Sequence, residues 1–169
     1  MTPTPSADQI TSTAQRTVLS LDHVSRSFGE GEQRVDAITD VSLGVNPGTF
    51  AAVMGPSGSG KSTLLGLAGG LDQPTSGTVS VCGEPLGGMS RDDLARVRRR
   101  QLGFVFQDYN LVPTLTAVEN VSLPLELDGV SATRARKAAE AALDRVGVPE
   151  LIDRHIEKMS GGQRQRVAI

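Results

Sequence analysis

A glycine-rich segment in the first half of the chain constrains its fold more than any other feature. The segment reads GPSGSGKST over residues 55–63 and fits the pattern G-x-x-x-x-G-K-[ST]. A nearly continuous apolar run, Thr49–Met54, precedes it, and residues with helical character follow from Lys61. Such an apolar run is typical of a strand that is buried on both faces of a parallel sheet. The sequence therefore predicts an α/β fold in which a buried strand passes through a tight loop into a helix.

The residue types in this loop are those that hold the phosphates of a nucleotide. Glycine at positions 58 and 60 lets successive backbone N–H groups turn towards an anion, because no Cβ blocks its approach. The N-terminus of the following helix adds a partial positive charge, and Lys61 adds a full charge for the β- and γ-phosphate oxygens. The Ser62 hydroxyl can ligate Mg²⁺. We therefore expect ATP and Mg²⁺ to bind at Gly55, Pro56, Ser57, Gly58, Ser59, Gly60, Lys61, Ser62 and Thr63.

A glycine-rich turn that happens to precede a helix carrying Lys and Ser is the alternative interpretation of this loop. With average residue frequencies, a chance match to the pattern in such a chain is on the order of one per cent. The apolar run and the helical segment on either side make a chance match rarer still. The sequence context therefore favours nucleotide binding.

Composition and charge limit the class of protein. The chain carries 17 Lys and Arg against 19 Asp and Glu, and its apolar share of 38% excludes a chain that is disordered throughout. No apolar run approaches the roughly 18 residues that span a bilayer, and residues 1–16 contain no hydrophobic segment of a secretory signal. We therefore expect a cytoplasmic domain with a flexible tail, rich in Thr, Ser and Pro, over residues 1–17.

Shorter segments complete the predicted layout. Alternation of apolar and polar residues, or short apolar runs, predict strands at Val18–Val24, Val35–Ile38, Val41–Val45 and Thr78–Cys82. The run GFVFQ, which ends at Gln107, is also strand-like. Helices are predicted from Ser90, which is placed as an N-cap, and over Thr133–Val146, which Gly147 would end.

Four arginines cluster towards the end of the first of these helices: Arg96, Arg98, Arg99 and Arg100. A nucleic-acid surface is one interpretation of such a cluster, and a solvated helix end is the other. The net charge of −2 favours the solvated helix end, so we expect no nucleic-acid partner.

A second glycine cluster lies near the end of the sequence, where Gly161 and Gly162 open a short helical segment. Ser160 and Gln163 around them fit the S-x-x-Q pattern of a capping box. A capping box does not account for two glycines in the first turn, each of which costs up to about 1 kcal/mol relative to Ala. Because bare backbone at a helix N-terminus also suits an anion, the cluster is a second candidate phosphate site.

These segments together resemble the nucleotide-binding domains of ATP-binding cassette (ABC) transporters. The loop at residues 55–63 is similar to their Walker A loop, and Gln107 in GFVFQDYNL is similar to their Q-loop glutamine. MSGGQ resembles their signature motif, with Met159 where Leu is usual. The residues of these motifs are most similar to those of the lipoprotein-release and macrolide-efflux branch. The resemblance implies an incomplete P-loop NTPase fold of the ABC-cassette type over residues 18–169. Its parts are an antiparallel β subdomain, the P-loop strand and helix, and a helical subdomain at about 90–165.

The resemblance also implies roles for single residues. Phe28 stands where the family places an aromatic ring, usually of Tyr, that stacks on adenine; an apolar residue at a strand end is the alternative. Gln107 would contact Mg²⁺ or the attacking water, unless it is an ordinary surface glutamine. The signature residues would contact ATP that is held by the opposite subunit, and they are Ser160, Gly161, Gly162 and Gln163.

Partners and location follow from the same resemblance. The signature implies a head-to-tail dimer of two cassettes around two nucleotides. A separate transmembrane permease would be the other partner, and it would place the chain at the inner face of the cell membrane.

Part of the family pattern has no match in this sequence. Family members continue past the signature into a Walker B strand, which ends in an Asp for Mg²⁺ and a Glu that acts as general base, and then reach a switch histidine. No apolar run here is followed by Asp-Glu, and both histidines, His23 and His155, precede the signature. We therefore expect an incomplete cassette of marginal stability, with no catalytic residue in this chain and the base expected downstream.

Three functions remain open at this point. The first is the energy-coupling ATPase subunit of a membrane exporter, in which this chain binds ATP and Mg²⁺ but does not hydrolyse ATP alone. The second is a non-catalytic nucleotide-binding or interaction fragment. The third is a soluble ABC-type ATPase that acts on nucleic acid or ribosomes.

Overall fold

The computed structural model describes residues 17–169, so the tail predicted over residues 1–17 lies, apart from Thr17, outside the described residues. The chain forms two compact units, one ending at Leu94 and the other comprising Ala95–Ile169. The first is built on a sheet and the second on a helical core. None of the helices within the described range is long and apolar enough to cross a membrane.

Four antiparallel strands form the sheet of the first unit: β1 (Leu19–Phe28), β2 (Val35–Val45), β3 (Ser76–Val81) and β4 (Glu84–Pro85). They lie in the order β2-β1-β3-β4. Leu21 on β1 lies opposite Leu43 on β2 and Val79 on β3. Leu21 and Val79 are buried, whereas Leu43 is exposed, so the buried part of the sheet lies along β1 and β3.

The first helix, α1 (Lys61–Ala68), follows the glycine-rich loop and packs against β1, β2 and β3. Its Leu67 is buried. The helix ends at a glycine pair in which Gly70 has φ +63°, a left-handed conformation that commonly terminates a helix. The helix predicted after the loop is therefore confirmed.

The strands predicted at Thr49–Met54 and in the run GFVFQ are wrong. Neither segment forms a strand, and Phe50 and Met54 are 94% and 88% exposed. Phe104 and Phe106 in GFVFQ stack on each other instead, with ring centroids 5.5 Å apart. A strand requires a neighbour for its backbone hydrogen bonds, and the four-stranded sheet of the described residues pairs neither segment. The α/β content therefore comes from an antiparallel sheet and helices, without the predicted parallel strand.

Four further helices follow: α2 (Arg91–Gln101), α3 (Ala117–Leu127), α4 (Ala132–Arg145) and α5 (Gly161–Ala168). The Ser90 hydroxyl accepts a hydrogen bond from the backbone N–H of Asp93 at 3.2 Å, so the predicted N-cap of α2 is confirmed. After α4 the backbone turns through Gly147, which has φ +72° as its predicted position at the helix end requires.

α3 has no counterpart among the predicted elements, although its first residues carry a capping signal. The Thr116 hydroxyl accepts from the Glu119 N–H, and the Glu119 carboxylate accepts from the Thr116 N–H at 2.7 Å. That backbone hydrogen bond, helped by the Thr116 hydroxyl, lowers the pKa of Glu119 below its ordinary value. The pattern T-x-x-E therefore indicates the start of α3, whereas the spacing of its apolar residues is too irregular to predict a helix.

The core of the second unit joins α3, α4 and α5 to the short turns between them. Its buried side chains are apolar and include Ala117, Val118, Ala139, Leu143, Val148, Leu151, Ile156, Met159 and Val167. Met159, which stands where the family has Leu, is part of this core. A flexible thioether fills the space of a leucine with little change of volume, so the substitution is compatible with the packing.

An irregular pair of residues interrupts β1 and β2 at the middle of their ladder. His23 and Asp40 both have left-handed φ, +49° and +50°, and the His23 Nδ1 lies 2.7 Å from the Asp40 Oδ1. The His23 N–H donates to the Ser42 hydroxyl, and the Asp40 N–H donates to the Ser25 hydroxyl. The hydrogen bond to Asp40 raises the pKa of His23, and the charges of Asp40 and Asp22 add to the effect.

We predict that Asp40→Asn lowers the pKa of His23 towards the ordinary value of about 6.5, measured by NMR titration of the imidazole. A raised pKa in the folded state stabilises the fold below the unfolded pKa, and this contribution is lost as the pH rises through the folded pKa. The stability difference between the wild type and Asp40→Asn therefore shrinks from pH 6 to pH 8. Asp22→Asn is the control and shifts the pKa less; an equal or larger shift there would contradict the pairing.

Candidate functional site

The glycine-rich loop forms a tight turn that leads directly into α1. Gly58 and Gly60 have φ +80° and +84°, and Gly60 is the N-cap of the helix. The N–H of Ser59 donates to the carbonyl of Pro56 at 3.3 Å, and the N–H of Leu64 donates to the carbonyl of Gly60 at 2.8 Å. No side chain caps this helix, so its first backbone N–H groups remain available to an acceptor at the loop.

The two glycines are required for different reasons. A Cβ on Gly60 would lie 2.4 Å from the carbonyl oxygen of Ala37 and 2.9 Å from the Cδ1 of Ile38, so the loop is packed against β2 at this point. A Cβ on Gly58 would meet no atom within 4 Å, and only the left-handed backbone favours glycine there. The start of α1 is therefore fixed on the sheet by Gly60, while Gly58 leaves open space beside the loop.

The Lys61 side chain folds back over the loop. Its Nζ donates to the carbonyl oxygens of Gly55 and Pro56, at 2.9 and 2.6 Å, and lies 3.4 Å from the Ser59 hydroxyl. Phosphate oxygens are stronger acceptors for an ammonium group than neutral carbonyls, because the hydrogen bond is then assisted by both charges. An anion at this loop would therefore compete successfully for Lys61.

The donor set is suited to Mg²⁺ held through a phosphate and less suited to Mg²⁺ alone. The Ser62 side chain is exposed at the start of α1. No cluster of three or more His, Cys, Asp or Glu within residues 17–169 could hold a metal ion. Mg²⁺ commonly combines one or two protein ligands with phosphate oxygens and water, so a hydroxyl beside bound phosphates fits that ion.

Phe28 lies in the same unit as this loop and is connected to it through β2. It is the last residue of β1 and pairs with Val35, two residues before the Ala37 that packs under Gly60. Two residues of a strand span about 7 Å. The Phe28 ring is 43% exposed, and the guanidinium of Arg26 covers it at 4.6 Å from the ring centroid.

The signature residues form the predicted capping box at the start of α5. The Ser160 hydroxyl accepts from the N–H of Gln163 at 3.3 Å, and the Gln163 side chain accepts from the N–H of Ser160 at 2.9 Å. These bonds leave the N–H groups of Gly161 and Gly162, at the first two helical positions, outside the cap. A Cβ on Gly162 would meet no atom within 4 Å, so backbone at this position is open to approach.

Gln107 lies in an exposed turn of the second unit rather than at the end of a strand. The N–H of Tyr109 donates to the carbonyl of Phe106 at 3.2 Å and closes the turn around Gln107. A Cβ on Gly161 would lie 3.4 Å from the Tyr109 hydroxyl, and the Arg164 guanidinium lies 5.7 Å from the Tyr109 ring centroid. The structure thus brings the Gln107 turn and the signature helix together through Tyr109.

Sequence patterns do not single out Arg26 or Tyr109, which contact the candidate site residues. The signal for Arg26 was present, because residues two apart on a strand share a face, as Arg26 and Phe28 do. Tyr109 carries no comparable signal, since its contact with α5 crosses more than fifty positions of the sequence. The loop residues and Phe28 belong to the first unit, and Gln107 and the signature belong to the second.

Comparison with known proteins points to one family. The model of the ABC transporter family matches residues 38–169. The macrolide export ATP-binding/permease protein MacB of Marinobacter nauticus is 45% identical over 154 residues, which cover 91% of this chain and 24% of the relative. The uncharacterized ABC transporter ATP-binding protein YbbA of Escherichia coli K12 is 43% identical over 152 residues, covering 90% of this chain and 67% of that protein.

Solved structures agree with the sequence comparison. The dimeric structure of MJ0796, described as a bacterial ABC transporter cassette, matches with a TM-score of 0.83 and 40% identity, over 89% of this chain and 67% of that one. A dimeric post-hydrolysis structure of the same cassette with ADP and Pi matches with a TM-score of 0.82, over 66% of its length. The chain thus spans about two thirds of these cassettes and about a quarter of MacB.

We predict that Gly60→Ala destabilises the fold more than Gly58→Ala. Left-handed backbone costs an alanine roughly 1–2 kcal/mol at either position, and at Gly60 the clash with the Ala37 carbonyl adds to it. The free energy of unfolding in urea should therefore fall by about 1–2 kcal/mol for Gly58→Ala and by at least about 1 kcal/mol more for Gly60→Ala. Equal losses would contradict the packing of the loop on β2.

Proposed function

The chain belongs to the ABC transporter family, and from that premise we propose that it is the ATP-binding, energy-coupling subunit or domain of a membrane exporter. The observation that supports the proposal best is the loop at residues 55–63. Its two left-handed glycines open the uncapped N-terminus of α1, and the Lys61 ammonium lies over it. This combination of donors suits a triphosphate.

Each residue of the loop would contact a different part of Mg-ATP. The backbone N–H groups from Gly58 to Thr63 would donate to the phosphates. Lys61 would exchange its carbonyl partners for oxygens of the β- and γ-phosphates, and the Ser62 hydroxyl would ligate Mg²⁺. When bound there, Mg²⁺ would offset part of the negative charge of the phosphates.

We further propose that Phe28 stacks on the adenine. The ring is partly exposed at the end of β1, and β2 connects it to the part of the sheet on which Gly60 packs. Phe offers a π face for a base but no hydroxyl. Because no hydroxyl fixes the ring by a hydrogen bond, base stacking at this position would depend on the residues that pack against the ring.

The signature residues Ser160 to Gln163 would contact the ATP of a second cassette. The N–H groups of Gly161 and Gly162 support this, because they take no part in the capping box and the space beside Gly162 is open. The solved cassette similar to this chain is dimeric, and the MacB relative combines an ATP-binding part with a permease. A permease partner would place the chain at the inner face of a membrane.

Gln107 would contact Mg²⁺ or the attacking water. The segment that follows it, residues 108–119, would relay the state of the nucleotide to the permease. Hydrolysis also requires a base that orients the water. We assign no such base among residues 17–169, and propose that this chain contributes nucleotide binding to the hydrolysis reaction of the assembled transporter.

Titration calorimetry with Mg-ATP tests the proposal. Lys61→Ala should weaken binding by at least about tenfold, since a hydrogen bond to a charged group contributes roughly 1.5–3 kcal/mol. Lys137→Ala, which removes an exposed lysine on α4, is the charge-matched control and should bind as the wild type does. Equal affinities of the wild type and Lys61→Ala would contradict the proposed phosphate site.

A further inference from the structure

The side chain of Arg26 makes an unusual set of contacts beside the candidate base-stacking ring. Arg26 and Phe28 lie two residues apart at the end of β1, where the pairing with β2 is irregular, and their side chains are in contact. The guanidinium carbon lies 4.6 Å from the centroid of the Phe28 ring, which is within the range of a cation–π interaction. One face of the ring is therefore covered by a planar cation.

Asp72, which follows the C-terminal end of α1, binds this guanidinium. The Arg26 Nη2 lies 2.9 Å from the Asp72 Oδ1, and both side chains are partly buried, at 24% and 35% exposed. Asp72 in turn donates its N–H to the carbonyl of Gly66 in α1, and its carboxylate accepts from the N–H of Gln73. Arg26 is thus tied to the same helix whose N-terminus forms the phosphate loop.

The burial of Arg26 makes the ring contact energetically relevant. Its Nε is buried and has no hydrogen-bond partner within the described part of the chain. A guanidinium that has lost part of its hydration interacts more strongly with an aromatic face than an exposed one. Asp72 and the Phe28 ring are therefore the interactions that compensate for removing this cation from water.

We propose that Arg26 is a positioning residue for the nucleobase: clamped by Asp72, it backs Phe28 and holds the ring so that adenine stacks on the opposite face. The inference rests on the proposed function of the loop and of Phe28. A phenylalanine has no hydroxyl through which a hydrogen bond could fix its ring. Without Arg26, the ring would lose its rotamer freedom when the base binds, and this loss would weaken the affinity. Arg26 fixes the ring before binding and lowers that cost.

A second arginine in the same unit serves as a matched control. Arg34 pairs with Asp36 at 2.9 Å, and Asp36 accepts from the Ser27 hydroxyl. This Arg–Asp pair lies beside the end of β1, as the Arg26 pair does, but it is tied to Ser27 and not to the Phe28 ring. Arg34→Gln therefore removes an ion pair of the same length, although a more exposed one, without removing the support of the ring.

Two probes separate the base from the phosphates. The full chain is titrated with Mg-ATP and with Mg-tripolyphosphate, which engages the phosphate loop and has no base. Arg26→Gln should weaken binding of ATP about three- to tenfold and change binding of tripolyphosphate less than twofold. Arg34→Gln should change neither by more than twofold. An equal loss of both ligands with Arg26→Gln would overturn the inference.

A double-mutant cycle shows whether Arg26 acts through the ring. In a Phe28→Ala background, Arg26→Gln should cause no further loss of ATP affinity, because the side chain that it supports is gone. Additive losses would overturn the inference. If Arg26→Gln does not fold, Asp72→Asn takes its place in both tests, since it releases the clamp and keeps the cation.

The failure of the proposed function has a different signature. The phosphate site itself is absent if the wild type binds neither probe, or if Lys61→Ala binds both probes as tightly as the wild type does. If it binds tripolyphosphate as tightly as ATP, the phosphate site stands and the base-positioning role of Arg26 is refuted.

Discussion

The contact between Gly60 and the carbonyl of Ala37 is the constraint on which the rest of the candidate site depends. It fixes the start of α1 on β2, because a Cβ at Gly60 would lie 2.4 Å from that oxygen. The direction of α1 then determines where its uncapped N–H groups and Lys61 lie. At the other end of the helix, Asp72 holds Arg26, and Arg26 covers the Phe28 ring. One backbone contact thus sets the geometry of both the phosphate site and the proposed base site.

The parts of the structure that sequence could predict are those determined by local interactions. The glycine-rich loop and α1, the N-cap at Ser90 and the capping box at Ser160 depend on residues within a few positions of each other, and all are present as predicted. α3 belongs to the same class, because the Thr116 and Glu119 pair marks it. Its absence from the prediction reflects an apolar pattern that Pro124 and neighbouring polar residues interrupt.

The parts that sequence could not predict depend on distant partners. The apolar run Thr49–Met54 carries the composition of a buried strand, but composition does not supply the neighbouring strand that completes its hydrogen bonds. The same limit applies to Tyr109, whose contact with the signature helix joins segments far apart in the chain. Arg26 shows an intermediate case, since its spacing to Phe28 is local and its anchor on Asp72 is not.

The signature turn shows that a structural role and a functional role can coexist at one sequence motif. Ser160 and Gln163 satisfy each other's backbone in the capping box, which keeps α5 in place. The N–H groups of Gly161 and Gly162 take no part in that cap and remain for a ligand. The capping pattern and the proposed contact with ATP of a second cassette are therefore compatible interpretations of the same four residues.

In the proposed binding mode, one nucleotide engages both the phosphate loop and the Phe28 ring. An NMR titration of the chain with Mg-ATP tests this, with ¹H–¹⁵N spectra for the backbone amides and aromatic ¹H–¹³C spectra for the Phe28 ring. We predict that the largest shift changes fall on the amides of residues 58–63, with simultaneous changes in the signals of the Phe28 ring. Saturable binding that leaves either set of signals unchanged would contradict this joint engagement.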